Sequence, residues 1–186
     1  MWLLSLISFL LLGGYLVLSA MRFGIPDMVS DTYYQLQGCT GSEVIDDKRK
    51  RNYGAVFTGI MILVGGLMMV CLLDSGRGVQ CLAFLGCAGL VFVGLAPNYV
   101  DKDTYPIHKG GAIVAAIGCV GWCLSVCWWM TLIVGAIYLI YLLLFQSAKF
   151  ADGIWYIGDK RVKIHPWYWA EVAGFLDVFL TYWLCV

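Results

Sequence analysis

Five stretches of the chain carry no Asp, Glu, Lys, Arg or His: residues 2–21, 53–73, 79–100, 110–148 and 178–186. Nearly all of the charge lies in the segments between them. A bilayer core about 30 Å thick is crossed by about 20 apolar residues in a helix rising about 1.5 Å per residue. Inside hydrocarbon the backbone must satisfy its own hydrogen bonds, so continuous apolar runs of this length predict helices. Barrel strands would alternate apolar and polar positions over about ten residues, and these runs do not. The pattern predicts an all-α integral membrane protein. Its single transmembrane domain, 1–186, is read as a six-transmembrane-helix bundle with short loops, the spans lying at about 2–21, 53–73, 79–97, 109–128, 131–148 and 167–186.

The fourth and fifth spans share one apolar run. As a single helix, residues 110–148 would extend about 58 Å at about 1.5 Å per residue, nearly twice the hydrocarbon thickness. A tight turn near Trp128–Thr131 resolves this and sets Trp128 and Trp129 in the interfacial aromatic belt. The alternative is five spans, one strongly tilted and protruding. Residues 2–21 lack the positive leading region of a cleaved signal peptide and are read as a retained helix. Pro97 closes the third span.

Charge gives the spans a direction. Arg22, Lys48, Arg49, Lys50, Arg51, Lys102, Lys109, Lys149, Lys160, Arg161 and Lys163 all fall on the side of loops 22–52, 98–108 and 149–166. Arg77 is alone on the other side. Eleven basic residues against one, by the positive-inside bias, place the odd-numbered loops in the cytoplasm and both termini outside. The expected location is a cell membrane of the bacterial inner-membrane type. Loop 22–52 is too short for a core of its own and is read as a lid over the helix ends or a re-entrant segment.

Hydrophobic residues make up 61% of the chain and charged residues 13%, against about 45–50% and about 25% in soluble domains. The net charge is zero, which argues against nucleic acid as a partner. The basic run Lys48-Arg49-Lys50-Arg51 abuts a span and reads as a topology or anionic-lipid signal. Membrane lipids are the expected partners, with self-association of the chain as a further expectation. Of the eight cysteines, Cys71, Cys81, Cys87, Cys119, Cys123, Cys127 and Cys185 lie in apolar runs, and only Cys39 lies in a loop. They are read as small buried hydrophobes rather than a disulfide framework. Cys119, Cys123 and Cys127 share one helical face, but no His or fourth thiol accompanies them, so packing is preferred to metal binding.

Membrane helices approach closely where their residues are small. Ala83, Gly86, Cys87, Gly89 and Gly94 in the third span, with Gly111, Ala115, Gly118 and Gly121 in the fourth, predict a close-packed centre.

Four polar features stand out. Asp31, with Ser30 and Thr32, has the chemistry to cap a short helix; with Tyr33 and Tyr34 it is also a candidate ligand site. Asp101-Lys102-Asp103 reads as solvated rather than metal-binding, and His108 opens the fourth span with a side chain that titrates near neutrality. Glu171 and Asp177 lie in the sixth span, Asp177 near mid-membrane, where a carboxylate costs several kcal/mol unless protonated, paired or wet. Six residues separate them, about 240° and about 9 Å, so they do not form a pair on one face. The segment from Gly153 to Trp169 mixes Trp155, Tyr156, Trp167, Tyr168 and Trp169 with Lys160, Arg161, Lys163 and His165, the composition of a bilayer-surface segment. No nucleophile elbow, P-loop or His-Glu-x-x-His motif is present, and two histidines do not make a three-His zinc site. No metal or cofactor is expected.

The order of a span, Pro26-x-x-x-Ser30-Asp31-Thr32, two spans, and His108 followed by Gly111-Ala112 at the head of the fourth resembles a six-span superfamily. That superfamily contains the damage-regulated autophagy modulators, relatives in lipid-anchor remodelling and bacterial six-span proteins. The Ser-Asp-Thr-Tyr-Tyr stretch also resembles small membrane proteins of Bacteroides-type bacteria and their phages. The resemblance covers the architecture and about fifteen residues, and carries over Ser30, Asp31, Thr32 and His108. Eukaryotic members are drawn with the first loop away from the cytosol, whereas the charge bias here places it inside.

Together these features point to a polytopic membrane protein that binds a lipid or small polar ligand at the cytoplasmic ends of its helices, through Ser30, Asp31, Thr32, Tyr34, His108 and Glu171. The alternatives are a lipid-headgroup-modifying enzyme with His108 as acid/base and Asp31 or Asp103 as its partner, a proton-coupled transporter using Asp177, and an interaction partner of a host membrane complex. The enzyme needs His108 and its carboxylate within hydrogen-bond reach. The transporter needs a wet midplane cavity at Asp177, which a dimer could complete.

Overall fold

The computed structural model describes residues 1–38, 53–144, 149–151, 154–156 and 164–186. The elements in chain order are α1 (Trp2–Phe23), a 3-10 turn η1 (Val29–Asp31), α2 (Thr32–Gln37), α3 (Gly54–Asp74), α4 (Gln80–Leu95), α5 (Tyr105–Leu144), β1 (Lys149–Ala151), β2 (Ile154–Tyr156) and α6 (Pro166–Cys185). The architecture is helical. Among the described residues, α1, α3 and α5 are long and apolar enough to cross a membrane, and α4 is a shorter apolar helix.

One small antiparallel pair departs from the all-helical expectation: Lys149 stands opposite Tyr156 and Ala151 opposite Ile154. Asp152-Gly153 between them is a dipeptide that favours two-residue hairpins.

Each long helix shows one packed stripe and one broad exposed face. In α1 the buried residues are Ser5, Ser8, Leu12, Tyr15, Leu16 and Ser19, recurring every three or four positions. Small hydroxyl residues on that stripe let the neighbouring backbones come close. Ser8 Oγ reaches Val64 O of α3 at 3.4 Å, and Trp183 Nε1 of α6 donates to Ser5 Oγ at 2.9 Å. Phe9 packs edge-on against Phe179 and Trp183. These contacts set α1 antiparallel to both α3 and α6. Its other face, with Leu3, Leu10, Leu18 and Met21, is exposed.

The closest approach is between α4 and the first half of α5. A methyl group at Gly89 would lie 2.5 Å from Ala115 N, and one at Gly86 would lie 2.6 Å from Cys119 N. Backbone meets backbone here, so only glycine fits at either position. Trp122, fully buried at the far end of this contact, donates from Nε1 to Arg77 O at 3.0 Å.

Helix α5 spans 40 residues, but its backbone leaves helical geometry at Cys127 (φ −153°, ψ 70°). As one straight rod it would hold Tyr138 about 45 Å from His108 at about 1.5 Å per residue. Instead Tyr138 Oη donates to Pro166 O, the first residue of α6, at 3.0 Å, and Glu171 five residues on lines the same cavity as His108. Cys123 and Thr131, on opposite sides of the break, both face Asp177 of α6. The chain therefore doubles back at Cys127. Residues 105–126 pack on α4, and 128–144 run back along α6. Trp128 and Trp129 lie exposed just past the break.

The helix boundaries differ by a few residues from those expected: α4 ends at Leu95 rather than 97, and α5 begins at Tyr105 rather than 109. Cys39, the run Lys48–Arg51 and the rest of residues 39–52 of the expected lid, and Lys160, Arg161 and Lys163 lie outside the described residues. The seven described cysteines are free thiols.

Candidate functional site

Small residues shape the centre of the molecule. Ala112, Ala115 and Ala116 of α5, Gly65 of α3, and Ala170 and Gly174 of α6 face one another across a space that larger side chains would have filled. The result is a cavity of about 330 Å³ between α3, α4, the first half of α5, and α6. Its walls also include Met61, Val64, Met68, Leu90, Phe175 and Val178. Ala112, Ala116 and Val120 line it and are also exposed, so the cavity opens sideways toward the surface a bilayer would cover.

Polar groups gather at one end: Ser30, His108 and Glu171. The η1 turn brings Ser30 there. α1 stops at Gly24, whose φ of 83° suits glycine and turns the chain out of the helix. Met28 N–H then donates to Asp31 Oδ2 at 2.9 Å, closing the turn on itself. Val29 N–H donates to Glu171 Oε2 at 2.7 Å, fastening the turn to α6. Thr32 Oγ1 donates to Val29 O at 2.6 Å and accepts from Tyr15 Oη at 2.5 Å. The turn is thus held from α1, from α6 and from within.

His108 is buried and donates from Nδ1 to Ala96 O at 2.8 Å. A carbonyl oxygen only accepts, so Nδ1 carries the proton. The bond also satisfies a carbonyl just past the C-terminal end of α4. Tyr99 bridges the two halves of the site: its hydroxyl donates to Asp31 Oδ1, and its ring lies 5.2 Å from the His108 ring. Burial, reinforced by the Asp31 carboxylate, raises the Tyr99 phenol well above the ordinary tyrosine range. Tyr34 donates to Asn98 Oδ1 at 3.1 Å and accepts from Val100 N–H at 3.0 Å, strapping α2 to the loop before α5; burial raises its phenol too.

The sequence candidates therefore separate into three groups. Ser30, His108 and Glu171 line one cavity. Asp31, Thr32 and Tyr34 stand behind them, as supports of the turn and its strap. Asp177 is apart: it is buried, accepts from Thr181 Oγ1 on its own helix at 3.4 Å, and is not among the cavity-lining residues. Asp31 caps a short helix as expected, but that helix is η1: its carboxylate accepts from the N-cap amide of Met28 and from Tyr99, while α2, which it also precedes, has no side-chain cap. Asp31 does not bond His108, whose Nδ1 goes to Ala96 O, so the His108–Asp31 pairing of the enzyme reading is not formed. Asp101 and Asp103 are exposed, with Asp101 Oδ1 accepting from the Asp103 amide. Among the described residues no group of His, Cys, Asp and Glu is placed to hold a metal.

One contributor was not singled out from the sequence, and a second, His165, was read as part of a bilayer-surface segment but is buried. Tyr99 lies in a polar loop, and nothing in its local pattern marks it. His165, buried just ahead of α6, pairs with Asp27 at 3.0 Å and ties the segment leading into η1 to the start of that helix. Comparison of the chain with protein-family models, with curated proteins and with solved structures finds no match in any of the three.

Proposed function

We propose that the chain is a six-span integral membrane protein that binds a lipid or other small amphiphile in the cavity between α3, α4, α5 and α6. In this reading α4, the two arms of α5, and α6 join α1 and α3 as spans. The end bearing η1 faces the cytoplasm, both termini face out, and the membrane is of the bacterial inner-membrane type. The eleven-to-one distribution of basic residues supports that direction.

The observation that carries the reading is the combination of an apolar space with a polar end. A cavity of about 330 Å³ lies at the lower end of the roughly 300–1,000 Å³ typical of small-molecule sites. Its lining runs from His108 to Val120, about 18 Å along α5 at about 1.5 Å per residue. That shape suits one hydrocarbon chain lying along the helices. The lateral opening beside Ala112 and Ala116 gives such a chain a path from the bilayer.

Gly174 supplies the test. It lines the cavity, and a methyl group built there meets nothing within 4 Å, so a side chain there starts into open space. Native mass spectrometry of the protein released from nanodiscs is expected to show a retained amphiphile in the wild type, lost in Gly174→Phe with the fold intact. Equal retention by both would overturn the reading.

A further inference from the structure

The geometry points to a ligand whose head group donates hydrogen bonds and carries no negative charge, an amine or an alcohol on a single hydrocarbon chain. This inference rests on the cavity being an amphiphile site and adds the chemistry of the head.

The polar end of the cavity is built from acceptors and acids: Glu171, Ser30 and His108, whose Nδ1 proton is held by Ala96 O so that the neutral ring offers Nε2 as an acceptor. Glu171 uses Oε2 to hold Val29 N–H, which fixes the carboxyl group in place at the cavity wall. Ser30 adds a hydroxyl group, which can accept as well as donate. Asp31 stands behind them, its carboxylate fixed by Met28 and Tyr99. No Lys or Arg is among the residues that line the cavity. Of the described cations at this end, Arg22 lies 5.7 Å over the Phe23 ring, Lys109 lies 5.7 Å over the Tyr105 ring, and Lys102 is exposed in the loop before α5 and does not line the cavity.

An anionic head would need a cation or several N–H donors at the wall, as phosphates and carboxylates do wherever they are bound tightly. Here it would meet a carboxyl group with a second one behind it, in surroundings where like charges are poorly screened. An ammonium or hydroxyl head has the opposite fit. It donates into Glu171 and Ser30 while its chain lies along Met61, Val64 and Ala116. The carboxyl group distinguishes the two donors, because only the ammonium gains a charge-assisted bond.

The test uses the full chain in nanodiscs and three ligands that differ only in the head: dodecylamine, dodecanol and dodecanoate. Binding is measured at a mildly alkaline pH that keeps the amine protonated and the acid ionised, with uptake by Gly174→Phe nanodiscs subtracted as bilayer partitioning. Dodecylamine is expected to bind at least about tenfold more tightly than dodecanoate, with dodecanol between them. Glu171→Gln keeps an acceptor for Val29 N–H but removes the carboxylate, and is expected to bring the amine down to the level of the alcohol. Dodecanoate binding as tightly as dodecylamine, or an amine preference untouched by Glu171→Gln, would overturn the head-group inference and leave the cavity reading standing. Binding of none of the three above the Gly174→Phe level would overturn both.

Discussion

At the scale of single residues, the candidate site depends on a few bonds between distant segments. Val29 and Glu171 are 142 positions apart, and Asp31 and Tyr99 are 68 apart. A hydrogen bond to a charged group contributes about 1.5–3 kcal/mol, so Tyr99→Phe is expected to destabilise the η1 end by about that much. The same residue sets a pH dependence. Its phenol titrates higher in the folded protein than in the unfolded chain, so its contribution is complete below the ordinary tyrosine pKa of about 10 and is lost as pH rises above it. Thermal melting of the wild type is expected to fall more steeply above about pH 10 than that of Tyr99→Phe, and parallel curves would show that Tyr99 is not the group responsible. Ser30, His108 and Glu171 were legible as candidates because polar and ionisable groups at the ends of apolar runs need a reason to be there. Tyr99 was not legible, since a tyrosine in a polar loop has no local signature and its partners come from α1's exit and from α5. Asp177 shows the limit of the same logic: a carboxyl group deep in a span was conspicuous in the sequence, yet its neighbours are Thr181, Thr131 and Cys123 rather than the cavity.

At the scale of elements, the helices were written plainly in the sequence, because an apolar run of about 20 residues leaves the backbone few other options in hydrocarbon. The doubling back of α5 followed from its length, and its place from the tryptophan pair: the turn was expected near Trp128–Thr131, and the break falls one residue before it, at Cys127. The short β1–β2 pair has its signal in Asp152-Gly153, a hairpin dipeptide, but the aromatic and basic residues around it read equally well as a bilayer-surface segment. The small residues of α4 and α5 had two readings, and only one was drawn from the sequence. Gly86, Gly89, Gly111 and Gly118 are packing positions, but Ala112, Ala115 and Ala116 also leave the space that becomes the cavity. The packing role makes a direct prediction. A side chain at Gly118 would press on the Gly86 backbone, which has no flexible end to give way. Gly118→Leu is expected to cost at least about 1–3 kcal/mol, the usual range for overpacking, and to lower the melting temperature or abolish recovery of folded protein. Gly174→Phe, which starts into open space, is expected to leave the melting temperature nearly unchanged, and the contrast between the two separates packing from cavity.

At the scale of the whole molecule, the structure joins two environments. The exposed faces of α1, α3 and α5 are apolar, as a bilayer requires, while the η1 end collects the described hydrogen bonds between α2, the loop before α5, and α6. The cavity lies between these, apolar along its length and polar only at the η1 end. That gradient is the reason to regard it as an amphiphile site rather than a packing defect, since a void of this size left empty would forfeit the contacts of every residue around it. The most direct test is photo-crosslinking with dodecylamine carrying a diazirine at the end of its chain, followed by peptide mapping in nanodiscs. The account predicts adducts on cavity residues such as Met61, Val64, Ala116 and Val178, abolished in Gly174→Phe. Adducts confined to the exposed faces, on residues such as Leu10, Leu18 and Ile137, and unchanged by Gly174→Phe, would contradict it.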